Sequence, residues 1–380
     1  MLAALALLSA GGLLAVWIVY PLVIAGFAVA IRQSGGATRR AQRGTPPSSV
    51  SLILATRDDP HAVRARVLDC LAAASAVPSC EIIVAIDARA ASTARADLAL
   101  GPQVTIVSGD EPGGKAATLN AAVRAARGDL LVFTDTHQRF APGALGRLAA
   151  AFSDARVGAA SGRLELSESA RHTLVGRYWA YERWLRRCEA SVHSCVGATG
   201  AIWALRRSLW VPLPPALILD DVYTPMRVVL SGHRVAFIDD ARAVDSRRAD
   251  PSLEYRRKVR TLTGNLQLIF WMPELLLPVR NPVWPQFLFH KLLRLLTPYW
   301  ALGVLAWIAA MMLSRIASMA ALPTLVASLL CVMGAAVASR RLAIGRTARR
   351  AVHAGVLLQL APVVAMMNGL RRRWNVWHPE

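Results

Sequence analysis

Cysteine is scarce in this sequence, and its few cysteines are widely spaced. The five are Cys70, Cys80, Cys188, Cys195 and Cys331. Structural zinc sites and the disulfide frameworks of small secreted domains need closely spaced pairs such as C-x-x-C, which this chain lacks. We therefore predict neither kind of site and expect buried free thiols in a reducing compartment.

Acidic residues are also few. The chain has 24 Asp and Glu residues against 44 Lys and Arg residues, which gives a formal net charge of +20. Such a charge suggests a nucleic-acid partner, but no basic stripe alternates with stacking aromatic side chains. Many arginines instead adjoin apolar segments, as at Arg32, Arg39, Arg40, Arg43 and 340–350. That arrangement is typical of the cytoplasmic flanks of membrane helices, so we predict membrane lipid as a partner and no nucleic acid.

Charged residues are absent from positions 2–31. A secretory signal peptide has a basic start and an apolar core of roughly 7–15 residues. This segment lacks the basic start and is longer than such a core. We predict that residues 1–31 form a transmembrane helix ending in the cytosol, because a basic linker, residues 32–48, follows it.

A second apolar region lies near the C-terminus. Segments near 292–313, 317–339 and 351–370 are each long enough to span a bilayer. We predict about three membrane helices within 291–370 and about four in the whole chain, as in a multi-pass protein of the inner membrane. The preceding residues, 266–290, mix Trp, Pro and Leu and are typical of an interfacial segment.

The last residues, 371–380, form a basic tail whose side of the membrane is ambiguous. If the arginine-rich stretch 340–350 is cytosolic, one further span places this tail outside, against the positive-inside rule. Either one late segment is re-entrant or the chain is an exception to the rule.

Between the apolar regions, residues 49–265 have the pattern of an α/β domain. Short apolar runs at 51–56, 81–86, 104–108 and 130–134 are separated by helical stretches near 61–76 and 116–127. Continuous apolar strands alternating with helices predict a mostly parallel sheet buried on both faces. Ligands of such sheets bind beyond the C-terminal ends of the strands, so polar residues at those ends are candidate site residues.

Polar residues follow three of the predicted strands. Thr56 ends the first, Asp87 follows the second, and Asp135-Thr136-His137 follows the fourth. A carboxylate, a spacer and a second ligand can hold a divalent cation, and a donor set of Asp and His suits Mn²⁺ at least as well as Mg²⁺. Taken alone, a single Asp after a strand is more often a helix cap.

The stretch from Gly109 to Lys115 reads G-x-x-x-x-G-K between a strand and a helix, like a phosphate-binding P-loop. Ala116, however, stands where a P-loop carries the Ser or Thr hydroxyl that binds magnesium. The motif is therefore broken, and we do not predict a P-loop hydrolase. Lys115 can still bind phosphate through its charge at the start of a helix.

Two adjacent carboxylates, Asp220 and Asp221, follow the sequence Gly197-Ala198-Thr199-Gly200 and an apolar run. Neighbouring side chains of a strand point to opposite faces, so the two carboxylates are expected to differ in role. One would ligate or orient, and the other would act as a general base. A solvated turn is the competing interpretation.

Six stretches together resemble the family-2 glycosyltransferases of the membrane-embedded, cellulose-synthase-like kind. They occur in family order between about residues 48 and 300 and read SLILATRDD, EIIVAID, GGKAATLNAAVRAARGDLLVFTDTH, GATGAIWALRR, LDDVYTPMRVV and RRKVRTLTGN. The resemblance implies a cytosolic GT-A-type domain at 49–265, a nucleotide-sugar donor, a divalent cation (Mn²⁺ or Mg²⁺) and an inverting reaction.

The resemblance also assigns roles by position. Asp87 matches the aspartate that contacts the nucleotide base, Asp135 the first residue of the D-x-D metal motif, and Asp221 the catalytic base of the T-E-D motif. The predicted site residues are catalytic Asp221 and Asp220; nucleotide-sugar-binding Thr56, Asp87, Lys115, Asp135 and Arg260; acceptor-binding Thr199, Gly200 and Arg257; and metal-binding Asp135 and His137.

The chain departs from the family pattern at three places. His137 replaces the second metal aspartate, Leu219-Asp220 replaces Thr-Glu, and Arg257 and Thr261 replace the Gln and Trp of the Q-x-x-R-W motif. Loss of that indole removes a stacking platform for a growing sugar chain, which argues against processive synthesis.

Three functions remain open at this point. The first is transfer to a glycan or glycolipid acceptor in exopolysaccharide or cell-envelope synthesis, which we favour. The second is transfer to a polyprenyl phosphate or another lipid. The third, motivated by the three departures, is a non-catalytic scaffold subunit of a polysaccharide secretion complex.

Overall fold

The computed structural model describes residues 2–34, 44–90, 101–167, 173–245, 247, 251–318 and 359–374. Two units divide the chain. The first takes in the described parts of Met1–Pro21, Asp250–Leu266 and Phe289–Arg373, and the second those of Leu22–Ala249 and Gln267–Leu288, together with Trp374.

In the second unit, eight strands form one sheet in the described part of the chain, in the order β3-β2-β1-β4-β7-β6-β8-β5. The strands are β1 Val50–Thr56, β2 Cys80–Ile86, β3 Val104–Ser108, β4 Leu130–Thr134, β5 Gln138–Phe140, β6 Val157–Leu166, β7 Trp203–Arg206 and β8 Arg234–Asp245. The pairs β1–β2, β2–β3, β1–β4 and β6–β8 are parallel, and the other three are antiparallel. The four predicted strands are present, and a mixed α/β fold is confirmed.

Both units contain helices. They are α1 Leu2–Leu14, α2 Tyr20–Gln33, α3 Pro60–Ala74, α4 Lys115–Ala125, α5 Ala144–Ala150, α6 Leu174–Val192, α7 Asp220–Leu230, α8 Pro251–Trp271, α9 Thr297–Ser318 and α10 Gln359–Leu370. Asp59 is the N-cap residue of α3. Its side chain accepts a hydrogen bond of 3.0 Å from the Ala62 N–H.

Both faces of the sheet are buried, as the unbroken apolar strands predict. Along β1, Leu52 and Leu54 pack into the core on one face, while Ile53 packs into the core on the other. The alternation follows from the pleat of a strand, which directs successive side chains to opposite faces. Phe133 on β4 stacks on Trp203 on β7, with ring centroids 4.2 Å apart, and this contact joins the parallel and antiparallel halves.

In the first unit, α1 packs closely against α9. A Cβ atom at Gly12 would lie 2.6 Å from the indole of Trp300, and one at Gly303 would lie 2.5 Å from the Ser9 hydroxyl. Small residues of this kind let two helix backbones approach each other. A hydrogen bond of 3.1 Å from Trp17 Nε1 to Thr297 Oγ1 adds a polar link at the same interface.

Two helical runs among the described residues, Leu2–Gln33 and Trp284–Ser314, are long and apolar enough to cross a membrane. The first contains α1, a π-type turn at Ala15–Val19, and α2. α10 is a shorter apolar helix. The structure thus gives two candidate spans where the sequence predicts about four. Nearly all of the predicted span near 317–339, and residues 351–358 of the one near 351–370, lie outside the described residues.

Candidate active site

Three parallel strands bring their following residues to one edge of the sheet. Thr56 pairs in register with Ile86, and Leu54 pairs with Thr134, so β1, β2 and β4 end side by side. The Asp87 N–H donates to the Thr56 carbonyl at 2.8 Å, and the Thr136 hydroxyl donates to the Thr56 hydroxyl at 3.0 Å. The strand ends that the sequence marks as polar are therefore hydrogen-bonded neighbours.

The buried Asp87 carboxylate is held by a glycine turn and by Arg89. Both of its oxygens lie 3.0 Å from the Gly114 N–H, and the Arg89 guanidinium forms an ion pair of 3.2 Å with it. Burial disfavours the charged carboxylate, but hydrogen bonds from the side chain and backbone of Arg89 outweigh this effect and lower the pKa of Asp87. A Cβ atom at Gly113, whose φ is +84°, would lie 2.6 Å from the carboxylate, so the turn requires glycine there.

Lys115 connects the strand end to the acidic pair further along the chain. It is the first residue of α4, and its ammonium lies 3.5 Å from Asp135 Oδ1 and 3.1 Å from Asp220 Oδ1. The Asp220 side chain is 8% exposed, whereas that of Asp135 is 43% exposed. The buried carboxylate is thus the closer partner of the lysine, and Asp135 retains access to a ligand.

Gly200 lies beside the carboxylates of Asp135 and Asp221. A Cβ atom at this position would be 3.0 Å from Asp135 Oδ2 and 3.7 Å from Asp221 Oδ2, so both side chains face the same small space. The backbone is held there because the Ala198 N–H donates to the Asp221 carbonyl at 2.6 Å. Thr199 is buried, and its N–H donates to the Ser161 hydroxyl at 3.1 Å.

Asp220 and Asp221 begin the helix α7 and do not lie on a strand. Carboxylates in the first turn of a helix are favoured by the helix dipole. Asp220 contacts Lys115, while Asp221 faces Gly200, so the two adjacent carboxylates have different surroundings. Their assignment to separate catalytic roles remains a prediction.

His137 lies beside Asp58, with its Nε2 3.6 Å from Asp58 Oδ2. Over the described ranges, no group of three or more His, Cys, Asp or Glu side chains is arranged to hold a metal ion. A cation that binds nucleotide phosphates needs only one or two protein carboxylates, because phosphate and water oxygens complete its shell. The partly exposed carboxylate of Asp135 fits that requirement, whereas the place of His137 in such a site is still a prediction.

Two arginines that are not among the predicted site residues lie near this site. Arg66 on α3 is fully buried, donates to the Asp135 carbonyl at 3.2 Å, and also contacts Thr134 and Asp69. Arg247 follows β8 and forms an ion pair of 2.6 Å with Asp245. No local motif marks either residue, since both reach the site only through the packing of distant elements.

The Arg247 guanidinium adds positive charge at the edge of the site. Its pKa is raised, first by the hydrogen bond to Asp245 and further by the charges of Asp135 and Asp58. These two carboxylates therefore lie close enough to stabilise the guanidinium.

Arg257 and Arg260, the remaining predicted site residues, lie on α8 in the first unit. Arg257 forms an ion pair of 2.9 Å with Glu254, one turn earlier on the same helix. The carbonyl of Arg257 accepts a hydrogen bond of 2.9 Å from the Thr261 hydroxyl. The roles of Arg257 in acceptor binding and of Arg260 in donor binding remain predictions.

A family model described as "Glycosyltransferase like family 2" matches residues 46–264, which is more than half of the chain. The chain belongs to this glycosyltransferase family. The sequence prediction of a family-2 glycosyltransferase is thereby confirmed. The matched region contains the site residues Asp87, Lys115, Asp135 and Asp221. It ends within α8.

One solved structure, the first of the two described next, shares the fold of this chain. A mannosyltransferase from Pyrobaculum calidifontis, solved in complex with GDP-Man and Mn²⁺, has a TM-score of 0.64 and 20% identity over 98% of this chain and 100% of that one. A glucosyl-3-phosphoglycerate synthase from Mycobacterium tuberculosis, solved with Mn²⁺ and UDP-glucose, has a TM-score of 0.41 and 15% identity over 58% of this chain and 79% of its own. A search of the curated proteins found no match.

A pocket of the glycosyltransferase opens beside Thr199. Its walls come from β6, α6, the Thr199 loop and β8, through Gly162, Arg163, Leu164, Trp179, Glu182, Arg183, Arg186, Thr199 and Phe237. None of the α6 residues in this wall is among the predicted site residues. The four wall residues of α6, at positions 179, 182, 183 and 186, recur with helical spacing, and this spacing is the signal that could have identified the face.

Proposed function

We propose that the chain is a membrane-bound, inverting glycosyltransferase that transfers a sugar from a nucleotide-sugar donor to a glycan or glycolipid acceptor. The observation that supports this proposal best is the convergence at Gly200, where Asp135 and Asp221 face one space beside Lys115. The mannosyltransferase of the same fold was solved with GDP-Man and Mn²⁺, and we propose the same classes of donor and cation here.

In the proposed reaction, Asp221 accepts the proton of an acceptor hydroxyl. The hydroxyl oxygen forms a bond to the anomeric carbon from the face opposite the leaving group. The bond from that carbon to the diphosphate breaks, and the nucleoside diphosphate leaves with the electron pair. Lys115 and Arg247 stabilise the charge that develops on the departing diphosphate, because preorganised positive groups act most strongly where charge appears.

The divalent cation would be held by Asp135, with His137 as a further ligand. When bound, it supplies positive charge that neutralises the diphosphate. Asp87 would contact the nucleotide base, and its lowered pKa keeps it an anionic hydrogen-bond acceptor at neutral pH. Thr56 would form part of the same nucleotide pocket, since it is hydrogen-bonded to the loop that carries Asp135.

The membrane location is supported by the two apolar helical runs, Leu2–Gln33 and Trp284–Ser314. In α1, the large side chains of Leu7 and Leu8 are each 74% exposed within the chain, as expected of a helix surrounded by lipid. We propose that the α/β domain is cytosolic, where nucleotide sugars are made, and that it lies close to the inner membrane. A cytosolic domain at the bilayer surface could reach either a glycan or a lipid-linked acceptor.

Substitution of the proposed base tests the reaction. Asp221→Asn should lower kcat by about 10²–10⁴-fold, because it removes general-base assistance. Donor binding, measured by thermal shift with nucleotide sugar and Mn²⁺, should be unchanged. Asp220→Asn serves as the matched comparison, and it should change donor binding more than the proton-transfer step, because it removes the carboxylate closer to Lys115.

Full turnover by Asp221→Asn would exclude this residue as the base. An assay with a radiolabelled nucleotide sugar then separates the two acceptor classes by the phase in which the labelled product is found. Product in the aqueous phase supports a glycan acceptor, and product in the organic phase supports a lipid acceptor.

A further inference from the structure

Three arginines contribute to the walls of the pocket beside Thr199. Arg183 and Arg186 come from α6, and Arg163 comes from β6, whereas Glu182 is the single acidic residue in its wall. Trp179, one turn before Arg183, contributes an indole to the same wall. Because three guanidinium groups share a small concave space with one carboxylate, the pocket is suited to an anion.

Two of these arginines keep unused hydrogen-bonding capacity. The Nε atoms of Arg163 and Arg186 are buried and have no hydrogen-bond partner in the part of the chain that the structure describes. Arg163 has acidic neighbours, but its distances to Glu165 and Asp239 are 3.7 and 3.8 Å, too long for hydrogen bonds. A buried N–H group without a partner is unfavourable, so a ligand that accepts these bonds would be stabilised.

The third arginine, Arg183, is affected by its cationic neighbours. Burial lowers the pKa of Arg183 first, and the charges of Arg163 and Arg187 lower it further, while those of Asp239 and Glu165 offset part of the effect. Mutual repulsion among guanidinium groups is relieved when an anion binds between them. The charge distribution, the unused donors and the concave shape therefore favour the same kind of ligand.

The pocket is connected to the proposed catalytic centre through two consecutive residues. Thr199 lines the pocket, and the next residue, Gly200, lies against Asp135 and Asp221. A molecule bound in the pocket would thus extend toward the carboxylate that we propose as the base. The donor elements, at Asp87 and Gly114, lie on the ends of other strands and helices.

Building on the proposed function, we propose that this pocket binds an anionic group of the acceptor, a phosphate or a carboxylate, through Arg163, Arg183 and Arg186. Guanidinium groups bind both anions with two parallel hydrogen bonds, which fixes their orientation. The indole of Trp179 offers a flat apolar surface for an adjoining sugar ring or lipid segment. The acceptor hydroxyl would then be held beside Asp221 at a fixed distance from the anion.

The test uses the full-length protein in nanodiscs of phosphatidylcholine. Nucleoside diphosphate and Mn²⁺ are kept saturating, so that the donor site is blocked. Glycerol phosphate is the soluble probe, and nanodiscs that also contain phosphatidic acid provide the lipid-borne phosphate. Stabilisation is measured by thermal shift and binding by titration, for wild type and for Arg183→Gln and Arg186→Gln.

We expect stabilisation by at least one probe and about tenfold weaker binding in each variant, because each loses charge-assisted hydrogen bonds. Arg186→Lys should recover part of the affinity because it retains the charge. Arg177→Gln is the matched control, since Arg177 lies on α6, is exposed and is not part of the pocket wall. It should bind like wild type.

The outcomes separate this inference from the proposed function. A response to glycerol phosphate alone indicates a soluble acceptor, and a response to phosphatidic acid alone indicates a lipid-linked one; both support the inference. Normal nucleoside diphosphate binding with no response to either probe overturns it, as does unchanged affinity in Arg183→Gln and Arg186→Gln. Failure of the protein to bind any nucleoside diphosphate or nucleotide sugar would contradict the proposed function instead.

Discussion

Gly200→Ala adds one methyl group in the space that the side chains of Asp135 and Asp221 both face. The added carbon would lie 3.0 Å from Asp135 Oδ2 and 3.7 Å from Asp221 Oδ2. The second distance is an ordinary contact, but the first is shorter than carbon and oxygen atoms normally approach. The Asp135 side chain is 43% exposed, so it can turn away by a few tenths of an ångström, which relieves the contact and alters the site.

This displacement should affect catalysis far more than stability. Misplacement of reacting groups by about 1 Å can cost about 10²-fold in rate, so a smaller shift should lower kcat by about tenfold. The folded state should change by less than about 1 kcal/mol, because the exposed carboxylate can adjust. We would measure nucleoside diphosphate release for kcat and thermal unfolding for stability, in the same preparation.

Gly146→Ala is the matched control. Gly146 lies within α5, and a Cβ atom there would meet only the Ala76 carbonyl at 3.4 Å, with no predicted site residue within 4 Å. This variant should retain wild-type kcat and gain slightly in stability, because alanine favours helix. Wild-type kcat in Gly200→Ala would refute the assignment of this space to the reacting groups. A loss of similar size in Gly146→Ala would show that the effect is not local.

Two other changes probe the surroundings of the site. The pKa of Asp245 is lowered to about 2, because hydrogen bonds with Arg247 and Gln138 outweigh its burial. A carboxylate whose pKa is lower in the folded state than in the unfolded state stabilises the fold at pH values above its unfolded-state pKa. Asp245→Asn should therefore lower the free energy of unfolding by about 2 kcal/mol at neutral pH. That difference from wild type, followed by chemical unfolding, should shrink as the pH falls from about 4 toward 2; a constant difference would contradict the assignment. Arg66→Met should destabilise the protein by about 3 kcal/mol, since it leaves the Asp69 carboxylate and the Asp135 carbonyl without their buried partner. A thermal midpoint equal to that of wild type would show that Arg66 does not hold the Asp135 loop.

The local pattern of the sequence was sufficient for the framework of the catalytic domain. The apolar runs beginning at Val50, Cys80, Val104 and Leu130 are strands, and the stretches near 61–76 and 116–127 are helices with bounds close to those expected. These features follow from the spacing of apolar residues and from turn residues, which act over a few positions. The prediction of a mostly parallel sheet followed from the helical stretches after the first and third of these strands.

The sequence also identified Asp87, Lys115, Asp135 and Asp221 as candidates, because each stands at the end or start of an element. It could not decide which carboxylate meets which partner. Only the folded chain brings Lys115 to Asp220 and leaves Asp221 facing Gly200. That choice depends on how α4 and α7 approach the edge of the sheet, and no short-range pattern records it.

Residues that act through packing were decided by the tertiary structure alone. Arg66, Arg163 and Arg247 lie on or directly after different elements, α3, β6 and β8, and none lies in a recognisable motif. Periodicity along a chain specifies which face of a helix or strand is apolar. It does not specify which distant polar side chains share one space, because that depends on strand order and on the packing of helices across the sheet.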